Sequence, residues 1–389
     1  MRLRKTLLLL ASAGIILVAC KKEKNNSSTD PEECVDGNAT GSGAIIEGRY
    51  IVSYTSSAMS GRAMSGDNVN RVSADVLSRH NIAATALKES FTISNGGFVA
   101  DLSLSEKAQL QSDPSIQLIE PDRIIKLSTC FTVAEPRLLT WNIKRVGYGN
   151  GIGKTAWIID TGIDFDHPDL TVNTSKSRSF ISGVATADDD NGHGTHVAGI
   201  IGGKNNTIGI LGVASGATLI ALKVLDKDGE GTLSSIIQAL SYVNQNASAG
   251  DVVNMSLGED VNSPTLNSAV QNTASRGIYI AIAAGNDHIA ARDVSPANAN
   301  GANIFTVSAI DSTDEFASFS NYGNDVVDYA APGVRILSTF SNGRYAYLSG
   351  TSMAAPHMAG ILLLRGKNFT ISGTAKNDPD GTADPIVHY

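Results

Sequence analysis

Five short apolar runs constrain this chain most: Thr155 to Asp160, Thr218 to Leu225, Val252 to Leu257, Ile278 to Ala283 and Ile304 to Ala309. Each is rich in β-branched residues and shows no polar alternation, the pattern of strands buried on both faces of a parallel sheet. Helical segments fall between them. Leu233 to Gln245 sets Ile236, Ile237, Leu240 and Val243 on one side, and Thr265 to Arg276 is closed by Gly277. The alternation predicts an α/β domain with a doubly wound parallel sheet, whose functional site forms at the carboxyl ends of the strands.

The region before it reads differently. From Gly48 to about residue 128 the order is a strand (Arg49 to Tyr54), a helix (Asp67 to His80), two strands (Leu87 to Ile93, Gly97 to Leu102), a short helix capped by Ser105, and a strand from Ile116 to Glu120. This β-α-β-β-α-β order predicts a small ferredoxin-like α+β domain. Residues 21–47 are Lys, Asn, Ser, Asp and Gly-rich, too polar to bury a core, and read as a flexible tether most pliant at Gly41-Ser42-Gly43. Arg2, Arg4 and Lys5 precede an apolar run from Leu7 to Val18, too short to span a bilayer but suited to a signal-peptide core. Cys34 and Cys130 either pair or stay as thiols. The formal net charge is -8, with no basic block, which gives nucleic-acid binding no electrostatic support.

Three motifs carry reactive residues. Asp160-Thr161-Gly162 ends an apolar strand with a carboxylate that needs a hydrogen-bond partner, and an imidazole N–H suits it; taken singly the triplet also fits an ordinary turn. Gly192-His193-Gly194-Thr195-His196 flanks a histidine with glycines that keep the ring accessible. A metal-binding pair of His193 and His196 is its competing reading. Gly350-Thr351-Ser352-Met353-Ala354 sets a hydroxyl at a helix N-terminus, where it is either a nucleophile or a simple cap.

Taken together, in the order Asp, His, Ser and with spacings of 33 and 159 residues, the motifs resemble the subtilase family over roughly Trp141 to Leu364. The resemblance implies a serine endopeptidase with a triad of Asp160, His193 and Ser352 and no catalytic metal. Ala283-Ala284-Gly285-Asn286 matches the segment that supplies the oxyanion-hole amide, which assigns that role to Asn286. Ser256, Leu257 and Gly258 match the substrate-binding strand, and Gly258 and Gly285 line the primary pocket with Asp287 near its floor. Asp169, Asn206, Ile208 and Ile210 match a loop that holds structural calcium, although the family's N-terminal glutamine ligand has no counterpart. The chain departs from the family between Trp141 and Asp160, where a short helix is expected to be missing, and after Ser352, where Asn377 to Gly381 reads as a turn between two short extended pieces.

The N-terminal half carries resemblances of its own. Gly48 to Val52 and Ile116 to Asp122 resemble the ends of subtilase propeptides, which makes residues 48–128 an intramolecular inhibitor and chaperone of a catalytic domain at 137–389. Leu17-Val18-Ala19-Cys20 resembles a bacterial lipobox, which implies a signal peptide over 1–20, lipidation at Cys20 and an exported, envelope-anchored protein. The expected partners are protein or peptide substrates, the chain's own propeptide and a membrane, with the chain itself monomeric.

Overall fold

The computed structural model describes residues 37–38, 42–59, 64–128, 132–133, 139–258 and 262–389. Cys20, Cys34 and Cys130 lie outside these residues, as do the signal segment and most of the tether.

Nine strands form the main sheet, in the order Thr370–Thr374, Pro385–His388, Tyr329–Pro332, Ile304–Ile310, Tyr279–Ala283, Val252–Met255, Thr155–Asp160, Thr218–Lys223 and Arg178–Ser179. Every adjacent pair is parallel except the first, where the two C-terminal strands run antiparallel. The five expected strands form the middle of this sheet, each correct within one or two residues at its ends. Their burial on both faces explains the unbroken apolar runs.

One face of the sheet is covered by helices α3 (Trp141–Val146), α4 (His193–Gly202) and α7 (Thr351–Arg365), which share a core with Ile158, Leu219 and Val307. The other is covered by α5 (Leu233–Asn246) and α6 (Pro264–Ser275), around Trp157, Ile220 and Val253. Helix α3 corrects the expectation that this stretch lacks a helix. Its six residues are too few to be stable alone; Ile143 and Val146 are buried in the main core, and Asn142 Nδ2 donates to His357 Nε2 at 2.8 Å. The tail forms the expected pair of extended pieces, Thr370–Thr374 and Pro385–His388.

Residues 45–128 build an antiparallel sheet in the order Ile116–Ser128, Ile45–Tyr54, Gly97–Asp101, Leu87–Phe91. Helices α1 (Gly66–Arg79) and α2 (Leu104–Leu110) pack on one face against Val52, Tyr54 and Phe98. The opposite face, with Ile51, Phe91 and Val99, joins the core of α5 and α6. Strand alternation thus gives each face its own partner. Most element ends fall within two residues of expectation, but one cap and two strand ends differ in ways that bear on the fold. Ser103, not Ser105, caps α2, in a capping box with Glu106. The last strand continues eight residues past Glu120, and the first starts at Ile45, within the stretch read as a tether. Both extensions have the same cause, pairing between distant segments. Gly43 N donates to Ile124 O at 2.8 Å, and Gly37–Asn38 pairs with Leu127–Ser128.

Candidate active site

Asp160 is the last residue of its strand, His193 the first of α4 and Ser352 the second of α7. The ends of three elements therefore converge at the carboxyl edge of the sheet, with α4 and α7 packed together. His193 Nδ1 and Asp160 Oδ1 are 2.7 Å apart, and both side chains are fully buried. Thr161 N donates to the same oxygen at 2.7 Å. A buried carboxylate so bound holds the imidazole in one orientation, with Nε2 turned away from Asp160. Gly194 makes this approach possible: a Cβ there would lie 2.1 Å from Gly162 O and 3.1 Å from Asp160 Oδ1.

Asp189 organises this corner, although nothing in the three motifs singles it out. Its Oδ1 accepts from Gly192 N at 2.9 Å and Thr161 Oγ1 at 2.9 Å, and its Oδ2 accepts from Thr195 N at 2.9 Å and Thr195 Oγ1 at 2.6 Å. One carboxylate thus joins the N-terminus of α4 to the residue after Asp160, where the helix dipole favours negative charge. The signal was present in the sequence as an Asp a few residues ahead of a helix that opens on Gly-His.

His196 takes a structural place. It is buried, with Nε2 3.0 Å from Ile336 O and 3.1 Å from Ala346 O, and burial pushes its pKa down to about 3. Those carbonyls need an N–H from the nitrogen they face, and Asp160 engages His193 Nδ1. The arrangement gives His193 and His196 separate duties and does not support a chelating pair.

Ser352 is inside α7 while Gly350 is the N-cap, so the serine does not serve as a cap. Its Oγ lies 3.4 Å from Ser256 O, and Ser256 Oγ donates to Ser352 O at 2.7 Å. Ser256 and Leu257 are buried and follow directly on the strand Val252–Met255; Gly258 is half-buried beside Ser295. Asn286 Oδ1 accepts from Thr351 N at 2.7 Å and Thr351 Oγ1 at 2.8 Å. With its oxygen held there, the amide turns its NH₂ group away from Thr351. Gly285 has φ 105°, and a Cβ would meet Asn321 Nδ2 at 2.2 Å; its N–H donates to Thr351 Oγ1 at 3.1 Å. Asp287 is solvent-exposed.

Asp169, Asn206, Ile208 and Ile210 also come together. Asp169 Oδ1 accepts from Asn206 Nδ2 at 2.8 Å, Oδ2 accepts from Ile210 N at 2.8 Å, and Asn206 Oδ1 accepts from Ile208 N at 2.9 Å. Calcium needs six to eight oxygen ligands. Here the carboxylate faces N–H donors, and Asn206 presents its NH₂ to it, so this arrangement does not fit a cation.

Residues 153–371 match the Subtilase family. An alkaline serine exoprotease A of Vibrio alginolyticus is 37% identical over 333 residues, 82% of this chain and 60% of that protein. A subtilisin-like protease 2 of Pseudogymnoascus destructans is 34% identical over 382 residues, 93% of this chain and 88% of its own. Among solved structures, a cold-adapted subtilisin-like serine proteinase matches 65% of this chain and 98% of its own, at 34% identity and a TM-score of 0.58. The chain belongs to the subtilase family of serine peptidases.

Proposed function

We propose that this chain is the precursor of a serine endopeptidase that cleaves peptide bonds by acyl transfer. The observation that carries the reading is the buried 2.7 Å contact between His193 Nδ1 and Asp160 Oδ1, beside a serine at the N-terminus of α7. Asp160 orients His193, which removes the Ser352 proton as general base. Ser352 Oγ attacks the peptide carbonyl carbon, and the Asn286 NH₂ with the Ser352 N–H receives the oxyanion. His193 then protonates the leaving amine, and water releases the acyl group. Ser256, Leu257 and Gly258 pair with the peptide as an added strand, and Gly258 and Gly285 border its primary pocket.

Residues 48–128 act as a ferredoxin-like inhibitor and chaperone of the catalytic domain. Two caps support this reading: Asp122 accepts from Ser234 N at 3.1 Å at the start of α5, and Glu120 accepts from Thr265 N at 3.1 Å at the start of α6. The strand beyond them pairs at Ile124–Lys126 with Glu230–Thr232, and Thr132–Val133 pairs with Ala346–Tyr347, just ahead of Ser352. The first bond cut falls between Leu127 and Pro136, in the stretch that follows the Ile124–Lys126 pairing. Cys20 carries the lipid that anchors the exported precursor. Expression of full-length wild type and Ser352→Ala tests the reading: wild type loses its N-terminal domain and the variant stays intact. Equal processing of both would overturn it.

A further inference from the structure

The strand Ile124–Lys126 lies antiparallel to Glu230–Thr232, with Lys126 opposite Glu230, Ile125 opposite Gly231 and Ile124 opposite Thr232. Ile125 is fully buried with Leu225, Leu233, Ile236 and Leu257. Its neighbours on the chain must then face the other way. On that outer face the Lys126 ammonium forms an ion pair with the Glu230 carboxylate. Glu230 belongs to an acidic turn, Asp226-Lys227-Asp228-Gly229-Glu230, held by its own hydrogen bonds. Asp226 Oδ1 accepts from Asp228 N at 2.9 Å and Glu230 N at 3.0 Å, and Asp226 N donates to Glu230 O at 2.8 Å. The carboxylate is therefore presented from a fixed turn, and Lys227 offsets only part of its charge.

We propose that Glu230 is a specificity-determining residue: it selects substrates with a lysine or arginine immediately after the apolar residue that takes the place of Ile125. The inference rests on the endopeptidase reading, in which the segment leading to the first cleaved bond occupies the groove that later substrates enter. A peptide added to the edge strand Glu230–Thr232 meets the same register, so a side chain in the Lys126 place stands directly opposite Glu230. Directly opposed opposite charges in an antiparallel pair favour association, and like charges oppose it. The pair is part-exposed, at 23% for Lys126 and 41% for Glu230, so the preference is graded and sensitive to salt.

The test uses the processed enzyme recovered from the full chain, with fluorogenic peptides that share an isoleucine and differ only in the next residue: Lys, Ala or Glu. Wild type should cleave the Lys peptide about two- to fivefold faster in kcat/KM than the Ala peptide, with Glu slowest. The ratio should approach one at 1 M salt. Glu230→Gln should flatten the series and Glu230→Lys should invert it. Equal rates on all three peptides in wild type, or the same order in wild type and Glu230→Lys, would overturn the proposal while leaving the protease reading intact. Failure of wild type to cleave any of the peptides would overturn the protease reading and the proposal with it.

Discussion

Lys223 is fully buried, and its Nζ donates to Thr161 O at 2.5 Å and to Asp190 Oδ1 at 2.6 Å. It stands directly beside Asp160 in the sheet and ties the turn after that carboxylate to the loop that leads into His193. Asp190 is half exposed, so water can solvate it without the lysine; the Thr161 carbonyl is the partner that suffers. Lys223→Met should lower stability by about 1.5–3 kcal/mol, the range for a hydrogen bond to a charged group, seen as a lower urea midpoint. A shift of the Asp160 turn should also reduce kcat by about tenfold or more at little change in KM. Full activity in the folded variant would show that Lys223 serves the fold alone.

Asn286 and Thr351 form a second such unit. Asn286→Ala should reduce kcat by about 10²- to 10³-fold with KM nearly unchanged, a magnitude that belongs to the corresponding donor in a subtilisin and is carried over to this chain as an expectation. Thr351→Val keeps the shape but loses the Oγ1 hydrogen bonds to Asn286 and Gly285. Because the Thr351 N–H still holds Asn286 Oδ1, the second variant should lose far less, about tenfold. Steady-state kinetics on one peptide decides between these outcomes.

The candidate residues Asp160, His193 and Ser352 were legible because a reactive side chain placed at a strand end or a helix start leaves a local pattern. Asp160 ends an apolar run, while His193 and Ser352 each follow a glycine-bearing turn. Contacts between distant segments were not legible. The strand expected to end at Glu120 runs on, because Pro121 stands opposite Tyr50 and Ile124–Lys126 gains Glu230–Thr232 as a partner. Helix α3 exists because the core receives Ile143 and Val146, which no local propensity announces. The Asp169 loop shows the reverse limit: the motif brings Asp169, Asn206 and Ile210 together, but residue type alone does not announce that the carboxylate meets N–H groups there.

The N-terminal domain should be held by its caps. Asp122 is fully buried and accepts from Ser234 N, Ser234 Oγ and Arg123 N. Asp122→Ala leaves the Ser234 N–H and hydroxyl, in the first turn of α5, without their acceptor, at a cost of about 0.5–2 kcal/mol. When the N-terminal domain is supplied in trans, the variant should inhibit the processed enzyme about two- to thirtyfold less tightly, the same energy expressed as an inhibition constant. An unchanged inhibition constant would show that the strand pairing at Ile124–Lys126 does the holding.

The C-terminal hairpin carries a pH dependence that can be read from one residue. Asp384 is buried, and its Oδ2 accepts from Ser308 Oγ at 2.5 Å. Burial pushes its pKa up to about 7; the Ser308 hydrogen bond opposes the rise, and the negative charges of Asp378, Asp380 and Asp328 add to it. A carboxyl whose folded pKa lies above its unfolded value near 3.8 binds its proton more tightly in the native state. Its contribution to stability is therefore complete below about pH 4 and is lost as pH rises through about 7. Asp384→Asn keeps the shape without the charge and should flatten this part of the curve. Urea unfolding of Ser352→Ala, chosen to prevent self-digestion, should show stability falling between pH 4 and 7 relative to the same protein carrying Asp384→Asn. Parallel curves for the two proteins would place the pH dependence elsewhere.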